Sequence, residues 1–268
     1  MGLHELLLQK PILTQTEVRA CLDLTHSRNG RTREKLVAYH VRKGHLVRVR
    51  RGLYLVVPPG ASPDTCPVDP YLLAAKMTDD AVLAYHTALE VHGKAHSIFE
   101  RFCYLTNRRA KTMTFRSYRF RSVRQPTVLR AKHKEGLGVK TLERTGVAIR
   151  VTNLERTLVD VLDRPDLGGG WEEIWRSLES VEFFDLDKVV EYALLLNNAT
   201  TAAKVGYFLD QHRQMLMVKD EHLQPLKQRR PKQPHYLERK ERATGRLVRE
   251  WNLVVPARVL ERSWEEPS

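Results

Sequence analysis

The 268-residue chain holds three cysteines, no CxxC pair, no Gly-Ser dipeptide, no GxSxG, and no apolar run long enough for a membrane helix. Each absence closes a route. Cys21, Cys66 and Cys103 are odd in number and widely spaced, so neither a disulfide framework nor a zinc site is expected. A bilayer-spanning helix takes about 20 predominantly apolar residues, which this chain nowhere supplies. Without GxSxG there is no serine-hydrolase elbow. The start, MGLHELLLQKP, lacks the cationic opening and small-residue cleavage site of a secretory signal, and Leu6 stands where a myristoylation motif takes Ser or Thr. The expected setting is reducing and cytoplasmic, with no membrane partner.

Charge of one sign is what the chain has in excess. The formal net charge is +13, against 42% hydrophobic residues, a globular composition with a bias toward polyanionic partners. The excess is not uniform. Residues 1–60 carry a net +7, 61–100 a net −4, 101–150 a net +12, 151–200 a net −7 and 201–268 a net +5. Two separate basic surfaces are therefore expected, or one basic segment neutralised by the acidic helices that follow it.

The first basic block has an ordered plan. A short apolar helix fits residues 2–9. TQTE at 14–17 is a capping box, in which Thr14 and Glu17 satisfy each other's backbone amides, and Val18, Cys21 and Leu22 give the following helix its buried stripe. Ser27, Asn29 and Gly30 make a turn. A further helix fits Thr32 to Lys43 and stops at Gly44, a favourable residue just past a helix end. Leu36, Val37 and Val41 face its core, while Arg31, Lys35, Tyr39 and Arg42 recur on another face, flanked by Arg28, Arg33 and Lys43. In GHLVRVRRGLYLVVPPG, Val47 and Val49 alternate with Arg48 and Arg50, Arg51-Gly52 turns the chain, and Leu53–Val57 runs back. Helix, turn, helix and basic hairpin is the order of a winged helix-turn-helix, whose second motif helix enters the major groove N-terminal residues first. The expected DNA-binding residues are Arg28, Arg31, Thr32, Arg33, Lys35, Tyr39, Arg42 and Lys43 on or beside that helix, with Arg48, Arg50 and Arg51 on phosphates.

Five prolines between 58 and 70 mark an extended linker, dividing a DNA-binding domain at 1–68 from a larger domain at 69–268. Residues 71–92 read as helical. Short β-like runs (FCYLT, MTFRSYRF, TVLRA, GVAIRV) fill a basic part at about 98–152, and helical periodicity dominates about 153–217. The fold class expected is α+β, with a mainly helical end. Arg108, Arg109, Lys111, Arg116, Arg119 and Arg121 form a possible second surface toward nucleic acid or a toxin, their aromatic neighbours suiting single strands.

Catalytic patterns are poor. His86, Glu90 and His92 share a helix, but the two histidines are six apart and face different sides. Asp185 and Asp187 form a DxD of the kind that holds divalent metal in nucleotidyltransferases, without the Gly-Ser turn that cradles phosphate there; a helix cap is the simpler role. GGG at 168–170 lacks the Lys-Ser/Thr of a phosphate loop. A nuclease built from Asp166 with Glu238-Arg239-Lys240 has long, arbitrary spacing. No enzyme activity, cofactor or metal is expected; the alternatives are a nucleic-acid-targeted nuclease or nucleotidyltransferase, and an RNA-binding protein working through residues 101–150.

Five stretches in matching order and spacing resemble the AbiEi family of antitoxins from type IV toxin–antitoxin systems. They are GHLVRVRRGLYLV, VLAYHTALEVHG at 82–93, VTNLERTLVDVLDRPDLGGG at 151–170, KVGYFLDQH at 204–212 and WNLVVP at 251–256, with Leu154 standing where the family pattern has Pro. The resemblance implies an N-terminal winged helix-turn-helix and a C-terminal antitoxin domain. It also implies repression of a two-gene operon through inverted repeats in promoter DNA. A nucleotidyltransferase-like toxin would be neutralised without a stable complex.

Overall fold

A computed structural model describes residues 7, 10–24, 30–238 and 245–264, with side chains of 22–24 and 30–33 not described. The helix expected over residues 2–9 lies outside the described residues, apart from helical Leu7. The fold is mixed α+β, with three sheets among the described residues. It begins with strand β1 (Ile12–Thr14), helices α1 (Gln15–Leu24) and α2 (Gly30–Arg42), and the hairpin β2 (Leu46–Arg50) and β3 (Leu53–Val56). The capping box forms at the head of α1. The backbone N–H and hydroxyl of Thr14 each donate to Glu17 Oε2 at 2.8 Å, and the Glu17 N–H donates to Thr14 Oγ1 at 3.3 Å. Past the end of α2, Gly44 takes φ +75°, the left-handed conformation that an L side chain resists.

β3 lies between β1 and β2, antiparallel to both. Strand alternation gives this small sheet two apolar faces. Leu13, Val18, Cys21, Leu46 and Val56 pack under the helices, with Leu36, Val37 and Val41 closing over them. From the opposite face, Ile12, Leu53 and Leu55 enter a second core with Leu72, Leu73, Phe102, Tyr104 and Phe120, far along the chain. The N-terminal unit is thus seated on the remainder of the molecule. Residues 57–69, rich in proline, contain no helix or strand, yet Cys66 within them is buried. Asp69 ends the stretch by accepting from the N–H groups of Tyr71 and Leu72 at 3.0 and 3.1 Å, which caps α3 (Pro70–Ala75).

One helix over 71–92 does not form. After α3 the chain enters the short strand β4 (Val82–Leu83), then α4 (His86–Val91). β4 is central in a six-stranded sheet, where both of its faces are buried. Its apolar run carries no periodicity to distinguish it from a buried helix. The other strands are β5 (Arg101–Thr106), β6 (Met113–Phe115), β7 (Tyr118–Arg124), β8 (Val139–Arg144) and β9 (Val147–Thr152), in the order β6-β7-β5-β4-β9-β8. TVLRA, expected as a strand, is the single-turn helix α5 (Thr127–Ala131), which follows Pro126 and buries Leu129 completely.

One face of the large sheet, carrying Phe102, Tyr104, Phe120 and Ile149, meets α3 and the N-terminal unit. The other, carrying Val82, Cys103 and Leu105, meets a helical layer. That layer comprises α6 (Leu154–Asp163), α7 (Pro165–Gly168), α8 (Trp171–Glu179), α9 (Leu186–Leu195), α10 (Ala199–Gln211) and α11 (Asp220–Arg229). A third sheet then forms from β10 (His235–Tyr236), β11 (Gly245–Val248) and β12 (Leu253–Pro256), followed by α12 (Ala257–Leu260). Trp251 is the reason for Gly206 in α10: a Cβ there would lie 2.1 Å from the indole.

Candidate nucleic-acid interface

α2 advances about 100° per residue, so Lys35, Tyr39 and Arg42 share one face while Leu36, Val37 and Val41 turn inward. Tyr39 is exposed, and the Lys43 ammonium lies 6.0 Å from the centre of its ring. Beside this stripe, a groove of about 500 Å³ runs between α2, the first turn of α1 and the hairpin. Arg19, Arg42, Arg48 and Arg51 line it together with, among the described residues, a single acid, Glu34. The side chains of these four arginines make no ion pair or hydrogen bond among the described residues. Uncompensated guanidiniums along a concave surface raise the local concentration of anions, and their forked donors match phosphate oxygens.

Arg50 is not part of this groove. The pairing of β2 with β3 steps from Arg48 opposite Tyr54 to Arg50 opposite Leu53, a bulge at Val49. A bulge re-aims the side chain that follows it. The Arg50 guanidinium accordingly donates to the backbone carbonyl of Met77 and ties the hairpin to the loop after α3. Val47 and Val49 also pack toward the large sheet, which makes the hairpin part of the joint between the two units. Arg31, Thr32 and Arg33 occupy the first turn of α2, with side chains outside the described residues, and Arg28 lies outside them altogether. Arg19 was not anticipated; its place next to Val18, on a helix whose buried side is Val18 and Cys21, is the sequence signal for it.

A second tie runs through Glu17. Its carboxylate accepts from Lys10 Nζ at 2.8 Å and lies 3.5 Å from Lys76 Nζ, just past α3. Burial works to raise its pKa, but hydrogen bonds from Lys10 and Thr14, with the charge of Lys76, hold it down to about 2.

The six cations expected as a second surface do not gather in one place. Arg108 and Arg109 follow β5 and border a hollow with Asn107 and Arg124, and Lys111 is exposed in the same connection. Arg116 turns away to the proline-rich stretch, donating to the carbonyls of Pro63 at 2.9 Å and Cys66 at 2.5 Å. Arg119 and Arg121 sit at the other end of the strands, beside Arg101. Arg121 pairs with Asp166 at 3.4 Å, and among the described residues this is the one ion pair joining segment 101–150 to segment 151–200.

The other chemically suggestive residues are held by local structure. His86 is buried between two carboxylates, 2.9 Å from Glu173 and 3.4 Å from Glu90, and stacks on Phe99. Burial opposes its charge, but the two carboxylates raise its pKa, while Glu173 is held to about 2 by His86 and the Ser97 N–H against its own burial. His92 points elsewhere, with Nε2 2.7 Å from the Thr152 carbonyl. Asp185 caps α9 by accepting from the Lys188 N–H at 3.2 Å and pairs with the Lys188 ammonium at 2.6 Å, while Asp187 projects outward. Asp166 and Glu238 line one cleft, but Asp166 holds Arg121 and Arg164, and Glu238 holds Arg258. Among the described residues no group of three or more His, Cys, Asp or Glu is placed to hold a metal ion, and no helix is long and apolar enough to cross a membrane.

No family model matches the chain, and no curated protein matches it in sequence. Among solved structures, it is similar to the crystal structure of the RV2827C protein from Mycobacterium tuberculosis. The identity is 18% and the TM-score 0.61, over 96% of this chain and 90% of that one. At this identity the likeness is one of fold.

Proposed function

We propose that the chain is a DNA-binding antitoxin of the AbiEi type, which represses its own toxin–antitoxin operon and counters a nucleotidyltransferase-like toxin. In this reading the N-terminal unit is a winged helix-turn-helix. α2 is the recognition helix, and β2–β3 is the wing. The observation that carries it is the groove between α2 and the hairpin, which Arg19, Arg42, Arg48 and Arg51 line without partners among the described residues. Arg31 and Lys35, toward the N-terminal end of α2, are assigned to base edges. Arg42, Arg48 and Arg51 are assigned to phosphates. The five sequence stretches that resemble AbiEi antitoxins support the cellular role.

The test is binding of the full chain to DNA from upstream of its own reading frame, measured as a function of salt. Affinity is expected to fall with a log–log slope of about −0.9 per neutralised phosphate. Arg31→Ala and Lys35→Ala are each expected to weaken specific binding by about 1–3 kcal/mol where the side chain reads a base edge. Intact promoter binding in both variants overturns the assignment of α2. In cells, Arg48→Ala with Arg51→Ala is expected to relieve repression of a promoter reporter while leaving rescue from the toxin unchanged.

A further inference from the structure

β5 and β7 run parallel, with Arg101 opposite Arg119 and Cys103 opposite Arg121. All four side chains point to the helical face of the sheet. Farther along the same face the strands are covered, and Leu105 is fully buried. At their N-terminal ends the helices leave a pocket of about 400 Å³. Arg101, Arg119 and Arg121 line it, walled by Phe99, Thr112 and the Gly169 turn.

The charge in this pocket is unbalanced. Neighbouring strands lie about 4.8 Å apart, and like charges directly opposite each other destabilise a sheet. Among the described residues Asp166 is the one carboxylate in the lining, and it is shared between Arg121 and Arg164 on the rim. Arg119 has no ion-pair or hydrogen-bond partner for its side chain among the described residues, and Arg101 rests against the Phe99 ring, 5.3 Å from its centre. The buried carboxylates of Glu90 and Glu173 lie against His86 and accept from the N–H groups of Phe99 and Ser97, with Glu90 Oε2 left without a hydrogen-bond partner among the described residues. The Cys103 thiol in the floor is pushed up to about 11 by burial and brings no negative charge. Three arginines therefore line one small volume in which, among the described residues, the single carboxylate is already shared. Oxygens of a phosphate chain fit these donors.

The pocket adjoins a larger cleft of about 1120 Å³, with Arg101, Asp166 and Gly169 common to both. Asn198, Thr200, His235 and Tyr236 line the far side of that cleft. The arginine pocket by itself falls within the size of a small-ligand site, and the adjoining cleft is large enough for a nucleoside.

We propose that this is a binding site for a free nucleoside polyphosphate, its phosphate chain on Arg101, Arg119 and Arg121 and its nucleoside in the adjoining cleft. The site is independent of the DNA-binding groove, and the proposal does not rest on the antitoxin reading.

The experiment is calorimetric titration of the full chain with ATP, GTP and inorganic tripolyphosphate, repeated with Arg119→Gln, Arg121→Gln and, as a control in the other groove, Arg48→Gln. Saturable nucleotide binding is expected, weakened about tenfold or more by each pocket variant and unchanged by Arg48→Gln. An unchanged melting temperature of Arg119→Gln separates loss of ligand from loss of fold. Absence of saturable binding at millimolar nucleotide overturns the proposal, as does binding that only Arg48→Gln abolishes. Tripolyphosphate binding as tightly as ATP overturns the nucleoside half. Displacement of ATP by a 5′-phosphorylated single-stranded oligonucleotide at tenfold lower concentration overturns the free nucleotide in favour of a nucleic-acid end.

Discussion

The two basic stretches of this chain differ in what their charges do. In the N-terminal unit, Arg19, Arg42, Arg48 and Arg51 face one open groove without partners among the described residues, and of the described arginines there only Arg50 is spent on holding the molecule together. In the segment from 101 to 150, with its larger net charge, much of the excess is consumed internally. Arg116 binds two carbonyls of the proline-rich stretch, Arg130 donates to the Gln125 carbonyl, Arg144 pairs with Asp69, and Arg150 donates to the Asp79 carbonyl. Carbonyl oxygens satisfy a guanidinium without cancelling its formal charge. A segment can therefore carry a net +12 in sequence while offering only the Arg101–Arg119–Arg121 pocket and scattered cations as surface.

The comparison breaks if arginines of the two kinds respond alike to substitution. The largest expected effect on stability is at Arg156, buried against Asp160 and bonded to Gln125 Oε1 and the carbonyls of Glu135 and Leu137. Arg156→Ala leaves the Asp160 carboxylate buried without its cation, still accepting from the Tyr192 hydroxyl, at a cost of about 3–5 kcal/mol in urea unfolding. Arg116→Ala follows, at about 1–2 kcal/mol, with no change in the salt slope of DNA binding. Arg48→Ala and Arg51→Ala invert this pattern. Stability stays within about 0.5 kcal/mol, while the slope of log affinity against log salt falls by about 0.9 for each phosphate left without its arginine. An Arg116 variant that lowers the slope, or an Arg48 variant that unfolds the protein, contradicts the division.

The acid limb sharpens the view of the joint between the units. The folded pKa of Glu17, about 2, lies below its ordinary 4.5, so the unfolded chain binds more protons between these values. The contribution of Glu17 is complete above about pH 4.5 and is lost as pH falls toward 2. Glu17→Gln is expected to flatten stability against pH in that window, measured by unfolding at fixed intervals of pH. The smallest effect belongs to Arg108→Ala with Arg109→Ala, about 0.5 kcal/mol or less in stability.

Much of the N-terminal unit was legible because its signals are local. Thr14 and Glu17 are three residues apart, Gly44 and Gly52 take the positive φ their turns need, and Val47 alternates with Arg48 within one strand. Where local signals conflict with sheet position, reading by period fails. β4 was hidden in an apolar run because a strand buried on both faces does not alternate, and TVLRA looked β-branched until Leu129 turned inward on a single helical turn. The arginine pocket was harder to see. Arg119 and Arg121 were legible as cations, but Arg101 joins them only through the parallel pairing of β5 with β7.

The sequence by itself determined where α2 begins to bury its stripe, where it stops, and that a basic hairpin follows it. These depend on capping, glycine conformation and side-chain period, all exerted within a few residues. Tertiary structure decided which of the arginines remain free. A bulge at Val49 sent Arg50 to Met77, the turn at Arg116 reached back to Pro63 and Cys66, and strand pairing gathered Arg101, Arg119 and Arg121. The physical reason is that a guanidinium's availability depends on whatever carbonyl or carboxylate the fold brings within its reach, and residues distant in sequence supply that partner.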